Sequence, residues 1–441
     1  MIGPVVKSNL SCEPEAAAAR GHAAATMKTR SLFTAPPCLR IAMLALWLIL
    51  LAAAPTMAQV AVRGETIYTM AGPAVKNGVV IIRDGKIAEV GPAASIKIPS
   101  GFKTLSARVV TPGLIDARSV VGLSGYLNQP QDQSQLERSS PIQPELRAID
   151  AYDAQEKLVE WLREHGITTI HTGHAPGALV SGQTMIVKTH GKTVDQATLV
   201  QTAMIAVTLG RAGLGQDNKP PGTPSKMVAM LRAELLKAKD YEAKRASAAE
   251  DRRPARDLRM ETLVRALKGE LPLLVNAHRA TDIITALRLA KEFNLKIVLD
   301  GASEAYLVVD QIKAANVPVI LHPTMYRAVG ETENLSLETA ATLRRAGVPV
   351  ALQGGYETYV PKTRVVLFEA AIAAANGLSL EEALGLVTID AARILGIAGR
   401  VGSLEAGKDA DLALFDGDPF EYTSHVTGVI IDGQVVSQTV R

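Results

Sequence analysis

The chain has 441 residues, and its 47 lysine and arginine residues nearly balance 44 aspartate and glutamate residues. Five basic and two acidic residues lie within positions 1–58, so the rest of the chain is neutral, with 42 of each. This balance argues against a protein that binds nucleic acid through a broad basic surface. The length suits one large domain with a smaller one beside it.

The first 58 residues have the pattern of a secretory signal peptide. An uninterrupted apolar run, "IAMLALWLILLAAAP", follows three basic residues, and "TMA" then predicts cleavage after Ala58. Met27 opens a signal of ordinary length, so either Met1 or Met27 starts the protein. A membrane anchor is the alternative, but the run is shorter than the roughly 20 residues that a spanning helix needs. We therefore predict export to the periplasm and no membrane attachment after cleavage.

Cysteine usage restricts the chemistry of the remaining chain. Both cysteines, Cys12 and Cys38, lie in the predicted leader. The chain after residue 58 therefore has no thiol for a disulfide, a metal ligand or a nucleophile. Catalysis or metal binding has to come from histidine, carboxylate or other side chains.

Two stretches at opposite ends of the remaining chain are typical of β-strands. Residues 59–112 contain short runs rich in valine and isoleucine, interrupted by Asp84-Gly85, and residues 396–441 repeat this pattern around Asp432-Gly433. An Asp-Gly pair between apolar runs indicates a hairpin. We predict that the two stretches pair into one small β-sandwich domain.

Residues 113–395 alternate between short apolar strands and amphipathic helices. Strands such as "LPLLVNAH" and "LKIVLDG" flank helices such as "ATDIITALRLAKEFN". This alternation predicts an α/β fold with a parallel sheet, closed into a (β/α)8 TIM-like barrel with helices outside. In such barrels the chemistry lies where the strands end. The histidines at predicted strand ends are His171, His174, His278 and His322.

Three segments do not follow this alternation. Residues 123–153 follow the first barrel strand and are rich in glutamine and proline, so we expect them to contribute to a ligand pocket. Residues 226–268 are charged, and we expect a solvated helical excursion on the barrel rim. Lys188, in "TMIVKTHG", is either a modified mid-barrel metal ligand or, more simply, a solvated strand lysine.

Three further stretches carry a likeness to known proteins: "GETIYTMAGPAVKNGVVIIRDGKIAEVGP" with "VVTPGLIDA", "VNAHRATDI", and "AARILGIAGRVGSLEAGKDADLALFDGDPF". They resemble the amidohydrolase superfamily, in its imidazolonepropionase-like periplasmic branch. The resemblance implies a metal-bearing barrel that hydrolyses C–N bonds in small amides, cyclic amides or dipeptides. One or two divalent metals in such barrels polarise the carbonyl and ionise water.

The resemblance also implies metal ligands, and most of the matching positions hold other residues. The family's His-x-His on strand 1 falls on Arg118 and Val120, and its strand 5 histidine falls on His278. The strand 6 histidine falls on Gly301, and the strand 8 aspartate falls on the glycine pair at 354–355. A guanidinium stays protonated and has no free lone pair, so it repels a dication. The usual binuclear site is therefore not expected.

One hypothesis is an exported hydrolase with an altered site, in which Arg118 replaces the metal as a fixed cation and a neutral histidine is the general base. Carboxylates near the strand ends then orient that histidine. The predicted catalytic residues are Arg118, His278, His322 and Asp300. The predicted substrate-binding residues are Arg279, Glu304, Tyr356 and Glu357.

Two alternatives stay open. The protein could have lost catalysis and act as a small-ligand-binding protein or as a partner subunit of an active relative. In the other alternative, His171, His174 and His278 form a displaced site for one divalent metal such as zinc. The partners expected from these hypotheses are a small molecule, a second copy of the chain, or an active relative.

Overall fold

The structure is a computed structural model that describes residues 59–441, apart from 128, 217–218, 248, 322–327, 358–359 and 362–365. The predicted leader and the predicted base His322 lie outside the described residues. For Glu357 the structure describes the backbone strand and not the side chain.

Strands account for both predicted β regions and for the interior of the barrel. The strands of the described chain are β1 (Val60–Ile67), β2 (Val75–Arg83), β3 (Lys86–Pro92), β4 (Lys103–Pro112), β5 (Leu114–Ser119), β6 (Ile167–Gly173), β7 (Val180–Lys188), β8 (Thr198–Val200), β9 (Ile205–Thr208), β10 (Leu273–Ala277), β11 (Ile297–Gly301), β12 (Val319–Leu321), β13 (Val350–Leu352), β14 (Tyr356–Glu357), β15 (Val360–Pro361), β16 (Leu412–Phe415), β17 (Val426–Ile431) and β18 (Gln434–Ser437).

Seven of the ten described α-helices lie between barrel strands, and the other three follow the last barrel strand, β13. The described α-helices are α1 (Lys157–Glu164), α2 (Val194–Ala197), α3 (Pro224–Ser247), α4 (Leu258–Leu267), α5 (Ala280–Phe293), α6 (Val309–Ala314), α7 (Thr339–Arg345), α8 (Val366–Ala375), α9 (Leu380–Leu386) and α10 (Ile389–Ile394). Within the described parts of the chain, none of these helices has the length and apolar content to cross a bilayer.

The two chain ends form one seven-stranded sheet, in the order β18-β17-β16-β4-β1-β2-β3. Asp84-Gly85 joins β2 to β3 and Asp432-Gly433 joins β17 to β18, with positive φ at all four residues. Two consecutive residues with positive φ match the twist of a tight hairpin. The prediction of a small β domain built from both ends is confirmed.

The central strands form the predicted barrel, in the order β5-β6-β7-β9-β10-β11-β12-β13. The two ends of this sheet are joined by the backbone N–H groups of 354–355, which donate to the Asp116 carboxylate at 2.9 Å and to the Arg118 carbonyl at 3.4 Å. The TIM-like barrel is therefore confirmed, and these contacts place the end of β13 beside β5.

One strand departs from the predicted parallel sheet. Strand β7 is antiparallel to both β6 and β9. Residues 174–179 join β6 to β7 directly, and so short a connection forms a hairpin because a parallel crossover needs a dozen or more residues. The expectation of a fully parallel barrel is wrong at this strand.

The charged segment at 226–268 is anchored to the barrel. Helix α3 buries an apolar stripe with helical spacing, and it packs against α4. The buried residues of the stripe are Met227, Leu231, Leu235 and Ala238. The first half of α3 is therefore part of the core, and the second half is the solvated helix that the charges predict.

Lys188 lies at the junction between the barrel and the β domain. Its Nζ is 2.8 Å from Asp409, 3.1 Å from Asp411 and 2.5 Å from Asp432, and its side chain is 5% exposed. The interpretation of a solvated strand lysine is wrong, because three carboxylates from the β domain surround the ammonium. The same contacts leave it no role as a mid-barrel ligand.

Candidate active site

Arg118 points into the barrel from β5, whose six residues are all buried. Its Nη1 donates to the Ser119 carbonyl at 3.0 Å, and its Nη2 donates to the His174 carbonyl. The Nε atom lies 4.0 Å from the Asp300 carboxylate, and the Arg118 side chain is 4% exposed. The structure therefore fixes one positive charge inside the strand ends, next to a carboxylate from β11.

Asp300 is held by amide groups from the two sides of β11. Asn276, on β10, donates to Oδ2 at 3.2 Å, and Gln353, just after β13, donates to Oδ1 at 2.7 Å. Sequence reasoning missed Asn276 and Gln353 as site residues. The signal that could have found them is a polar side chain within or directly after a buried apolar strand.

Asp116 is a second buried carboxylate beside Arg118. It accepts hydrogen bonds from the backbone N–H of Gly354 at 2.9 Å and of Arg118 at 3.2 Å. Burial raises the pKa of Asp116 to about 7, although these bonds and the guanidinium oppose the rise. The sequence interpretation did not place Asp116 among the catalytic residues, yet its carboxyl group titrates near neutral pH in the barrel.

His278 lies at the end of β10 and is buried. Its Nδ1 is 2.9 Å from the Ser303 hydroxyl, and burial lowers the pKa of the imidazole while Asp300 opposes that shift. A Cβ atom at Gly301, whose φ is +80°, would lie 2.5 Å from His278 Cε1. The position that matches the family's strand 6 histidine therefore has no room for a side chain.

His171 lies on β6 and His174 directly follows this strand, next to Arg118. The His171 Nδ1 donates to the Ala117 carbonyl at 2.8 Å, and its Nε2 is 2.7 Å from the Thr184 hydroxyl. Burial, with a contribution from Arg118, lowers the pKa of His171 to about 3 and that of His174 to about 4. Both imidazoles are therefore neutral at neutral pH.

The structure does not form the predicted three-histidine metal site. Both ring nitrogens of His171 are already hydrogen-bonded, which leaves no lone pair free for a metal. The ring nitrogens of His174 form no hydrogen bond with a described side chain. The Gln135 backbone partly opposes the lowering of the His174 pKa. In the described parts of the chain, no three histidine, cysteine, aspartate or glutamate side chains group as metal ligands.

Two of the predicted substrate-binding residues serve the start of α5 instead. Glu304 accepts hydrogen bonds from the Ala280 backbone at 2.8 Å and from the Asn334 side chain at 2.9 Å. Arg279 pairs with Asp282 at 3.0 Å, and its Nε is 3.7 Å from Glu331. These contacts bind loops and helix together, and neither residue lines the cavity at Arg118.

Tyr356 does lie at that cavity, with Arg118, Asp300 and Gln353. Its hydroxyl accepts a hydrogen bond from Gln135 at 3.1 Å, which brings the loop at 123–153 to the barrel mouth. The cavity measures about 10 Å³, which is room for about one water molecule. The polar loop therefore meets the strand ends, and the described side chains there pack closely.

Comparison with known proteins points to one family. Residues 311–437 match the profile described as "Amidohydrolase family". An imidazolonepropionase from Rhizorhabdus wittichii is 29% identical over 388 residues, covering 80% of this chain and 92% of that protein. One from Brucella anthropi is 25% identical over 369 residues, covering 78% and 87%. The crystal structure of an amidohydrolase from Thermotoga maritima MSB8 has a TM-score of 0.81 and 28% identity, covering 86% and 100%.

Proposed function

We propose, because the chain belongs to the amidohydrolase superfamily, that it hydrolyses a C–N bond in a small amide, cyclic amide or dipeptide. The family and the imidazolonepropionase relatives support a C–N bond hydrolase. The observation that carries the finer proposal is the buried guanidinium of Arg118 at the strand 1 ligand position.

We propose that the metal site of this enzyme is altered. The donor set of the family does not fit the described residues, because strand 1 supplies Arg118 and Val120 and the position at Gly301 has no room for a side chain. At 4 Å and an effective dielectric constant near 20, a dication beside a guanidinium costs on the order of 8 kcal/mol. The chemistry then has to come from the chain's own residues.

Arg118 supplies the positive charge that an amide carbonyl needs as it becomes tetrahedral. A preorganised cation in a buried site stabilises a developing oxyanion or holds a substrate carboxylate. His278 is neutral at neutral pH because burial lowers its pKa, so it can accept a proton from water. Asp300, oriented by two amide donors, stabilises the protonated imidazole that results. The hydroxide forms the new C–O bond, and the imidazole gives its proton to the departing amine as the C–N bond breaks.

A substrate needs more space than the described residues leave beside Arg118 and Asp300. The cavity of about 10 Å³ holds a water molecule and not an amide. The hydrogen bond between Gln135 and Tyr356 joins two loops over this cavity. We expect substrate binding to break that bond and to move Tyr356 away from Arg118.

The test measures metal content and turnover together. The purified protein is analysed for zinc, manganese and iron, and it is assayed on dipeptides and cyclic amides with and without added metal. We expect turnover without bound metal, at least about 100-fold lower in His278→Asn. His425→Asn is the matched control, since His425 pairs with Asp416 on an exposed loop.

Three other outcomes would change the proposal. Turnover that requires stoichiometric metal would refute the altered site and keep the hydrolase. Binding of a panel compound without turnover would favour a non-catalytic binding protein, which the guanidinium at the ligand position also supports. Equal activity of His278→Asn and wild type would remove His278 from the mechanism.

We also propose that the protein is exported, on the basis of the apolar run and the cleavage pattern at 41–58. Osmotic-shock fractionation followed by N-terminal sequencing tests this. A periplasmic protein that begins at Gln59 is expected, and a cytoplasmic protein that retains Met27 would contradict it. Assembly with a second copy or with an active relative stays a prediction.

A further inference from the structure

An aromatic cleft lies on the outer side of the barrel, between α1, α8 and the connection from β16 to β17. Its volume is about 560 Å³, within the range of small-molecule sites. None of its lining residues lines the cavity at Arg118. The cleft is therefore separate from the candidate active site.

Aromatic side chains are concentrated in this cleft. Only 4% of the chain is aromatic, yet three of its six phenylalanines contribute to this one lining, so the clustering is not a reflection of composition. The aromatic lining residues are Trp161, Phe368, Phe415, Phe420 and Tyr422. Phe415 is buried, whereas Phe368 is 50% exposed and Tyr422 is 90% exposed, so the cleft offers ring surface to a ligand.

Most charged groups around the cleft are already paired. Arg441 pairs with Glu164 at 2.6 Å, and its guanidinium lies 5.4 Å from the centre of the Trp161 ring. His425 pairs with Asp416 at 3.1 Å. These pairs leave little positive charge for an anionic ligand.

Two titratable side chains at the cleft, His165 and Glu421, can still accept a hydrogen bond. His165 Nδ1 donates to the Trp161 carbonyl at 2.7 Å, and burial lowers the pKa of His165, so its Nε2 is left as an acceptor. The hydrogen bonds of Glu421 within the described chain involve its backbone, so its carboxylate is available. Aromatic faces beside an available carboxylate favour a cation.

We propose that this cleft binds a small organic cation, whose apolar body packs on Phe368 and Phe420 and whose ammonium lies between Tyr422 and Glu421. The aromatic face already accepts one cation, because the guanidinium of Arg441 lies over Trp161. This site does not depend on the proposed hydrolysis, since the two sites share no residue.

Calorimetric titration of the full chain tests the charge of the ligand. The probes are benzyltrimethylammonium, benzyl alcohol and benzoate, which share one aromatic ring and differ in charge. We expect the ammonium to bind at least tenfold more tightly than the alcohol, and benzoate not to bind. Equal or tighter binding of the alcohol or of benzoate would overturn the proposal.

Substitutions then place the ligand in the cleft. Tyr422→Leu keeps an apolar side chain and removes the π face, and Glu421→Gln removes the charge. Each is expected to weaken ammonium binding about three- to fivefold and to leave thermal unfolding unchanged, because both residues are exposed. Tyr126→Leu and Glu89→Gln are the matched controls, since they change an exposed tyrosine and an exposed glutamate elsewhere. Ammonium affinity equal to wild type in both cleft variants would refute the site.

Tryptophan emission gives an independent readout of position. Trp161 is one of two tryptophans, and the other, Trp47, lies in the predicted leader. Saturating ammonium should therefore change the emission of Trp161, and the same concentration of benzoate should not. Unchanged emission on ammonium binding, or a dimer in sedimentation that Tyr422→Leu dissociates, would show that the cleft is not the ligand site.

Discussion

Two buried basic side chains, Lys188 and Arg118, have opposite surroundings. Lys188 lies at the junction of the barrel and the β domain, with three carboxylates within 3.1 Å. Arg118 lies inside the barrel, where the described residues provide two carbonyl oxygens and one carboxylate at 4.0 Å. Carboxylates of the β domain neutralise the Lys188 ammonium, whereas the Arg118 guanidinium contacts two neutral carbonyl groups and one carboxylate at a longer distance.

The carboxylates around the two cations carry this difference further. Although burial opposes the shift, hydrogen bonds from Lys188 and Lys86 lower the pKa of Asp409 to about 2. At Asp116, burial outweighs Arg118 and raises the pKa to about 7. Burial also raises the pKa of Asp411 at the junction, to about 6, so the two regions differ in the strong pairing of Asp409 and not in every carboxylate.

The largest expected effect is the decrease in stability when the Lys188 ion pairs at the junction are removed. In Lys188→Met, the buried Asp411 loses its ammonium partner, whereas Asp409 keeps Lys86 and Arg400. We therefore expect a decrease of about 3–5 kcal/mol in the free energy of unfolding. Urea unfolding measures it. Lys237→Met, at an exposed pair with Glu234, should change the free energy by less than about 1 kcal/mol. Similar values for the two variants would show that the Lys188 ion pairs contribute no more to stability than the Lys237 pair.

Arg118→Met should affect function more than stability, in contrast to Lys188→Met. Asp300 keeps its two amide donors in this variant, so stability should decrease less than in Lys188→Met. Turnover or ligand affinity should decrease at least about 100-fold. Arg232→Met, at an exposed pair with Glu292, controls for the loss of a guanidinium. Unchanged affinity with a large loss of stability would make Arg118 structural.

The pH dependence of stability distinguishes the buried His171 of the barrel from the exposed His425 of the β domain. The pKa of His171 is about 3 in the folded protein, against an ordinary value of 6.5, so the unfolded chain binds the proton first. Stability from the neutral imidazole is present above pH 6.5 and is lost as the pH falls, by about 2 kcal/mol at pH 5. His171→Gln should flatten the curve between pH 7 and 5, and His425→Gln should not. Equal slopes in wild type and His171→Gln would contradict this assignment.

A smaller effect tests the packing against His278. Gly301 and Gly347 have nearly equal φ values, +80° and +82°, but a Cβ atom meets His278 at the first and open space at the second. Both alanine variants carry the backbone strain of about 1–2 kcal/mol. Gly301→Ala should be less stable than Gly347→Ala by a further ~1–3 kcal/mol in thermal unfolding. Equal melting temperatures would mean that the His278 ring moves freely.

Local sequence patterns predicted the parts of the fold that depend on local chemistry. The two Asp-Gly pairs indicated the hairpins of the β domain, and strand-helix alternation indicated the barrel. The alternation could not reveal the reversed direction of β7, because a buried strand has the same apolar pattern in either direction.

The candidate site was predictable where a single residue stands out in the sequence. Arg118 was found because it occupies a position where the family has a histidine, and Asp300 was found because it is a carboxylate at a strand end. Lys188 was misread because its partner Asp432 lies far away in the chain, so only the tertiary fold brings them together. Asn276 and Gln353 were missed because their function depends on the carboxylate between them.

The central strand of the terminal sheet has a consequence for biosynthesis. Strand β4 pairs with β1 along one edge and with β16 along the other. The whole barrel is translated between β4 and β16, so the second edge of β4 stays open until β16 has been made. An open strand edge invites pairing with other chains, so we expect nascent chains to be prone to aggregation while the barrel is being made.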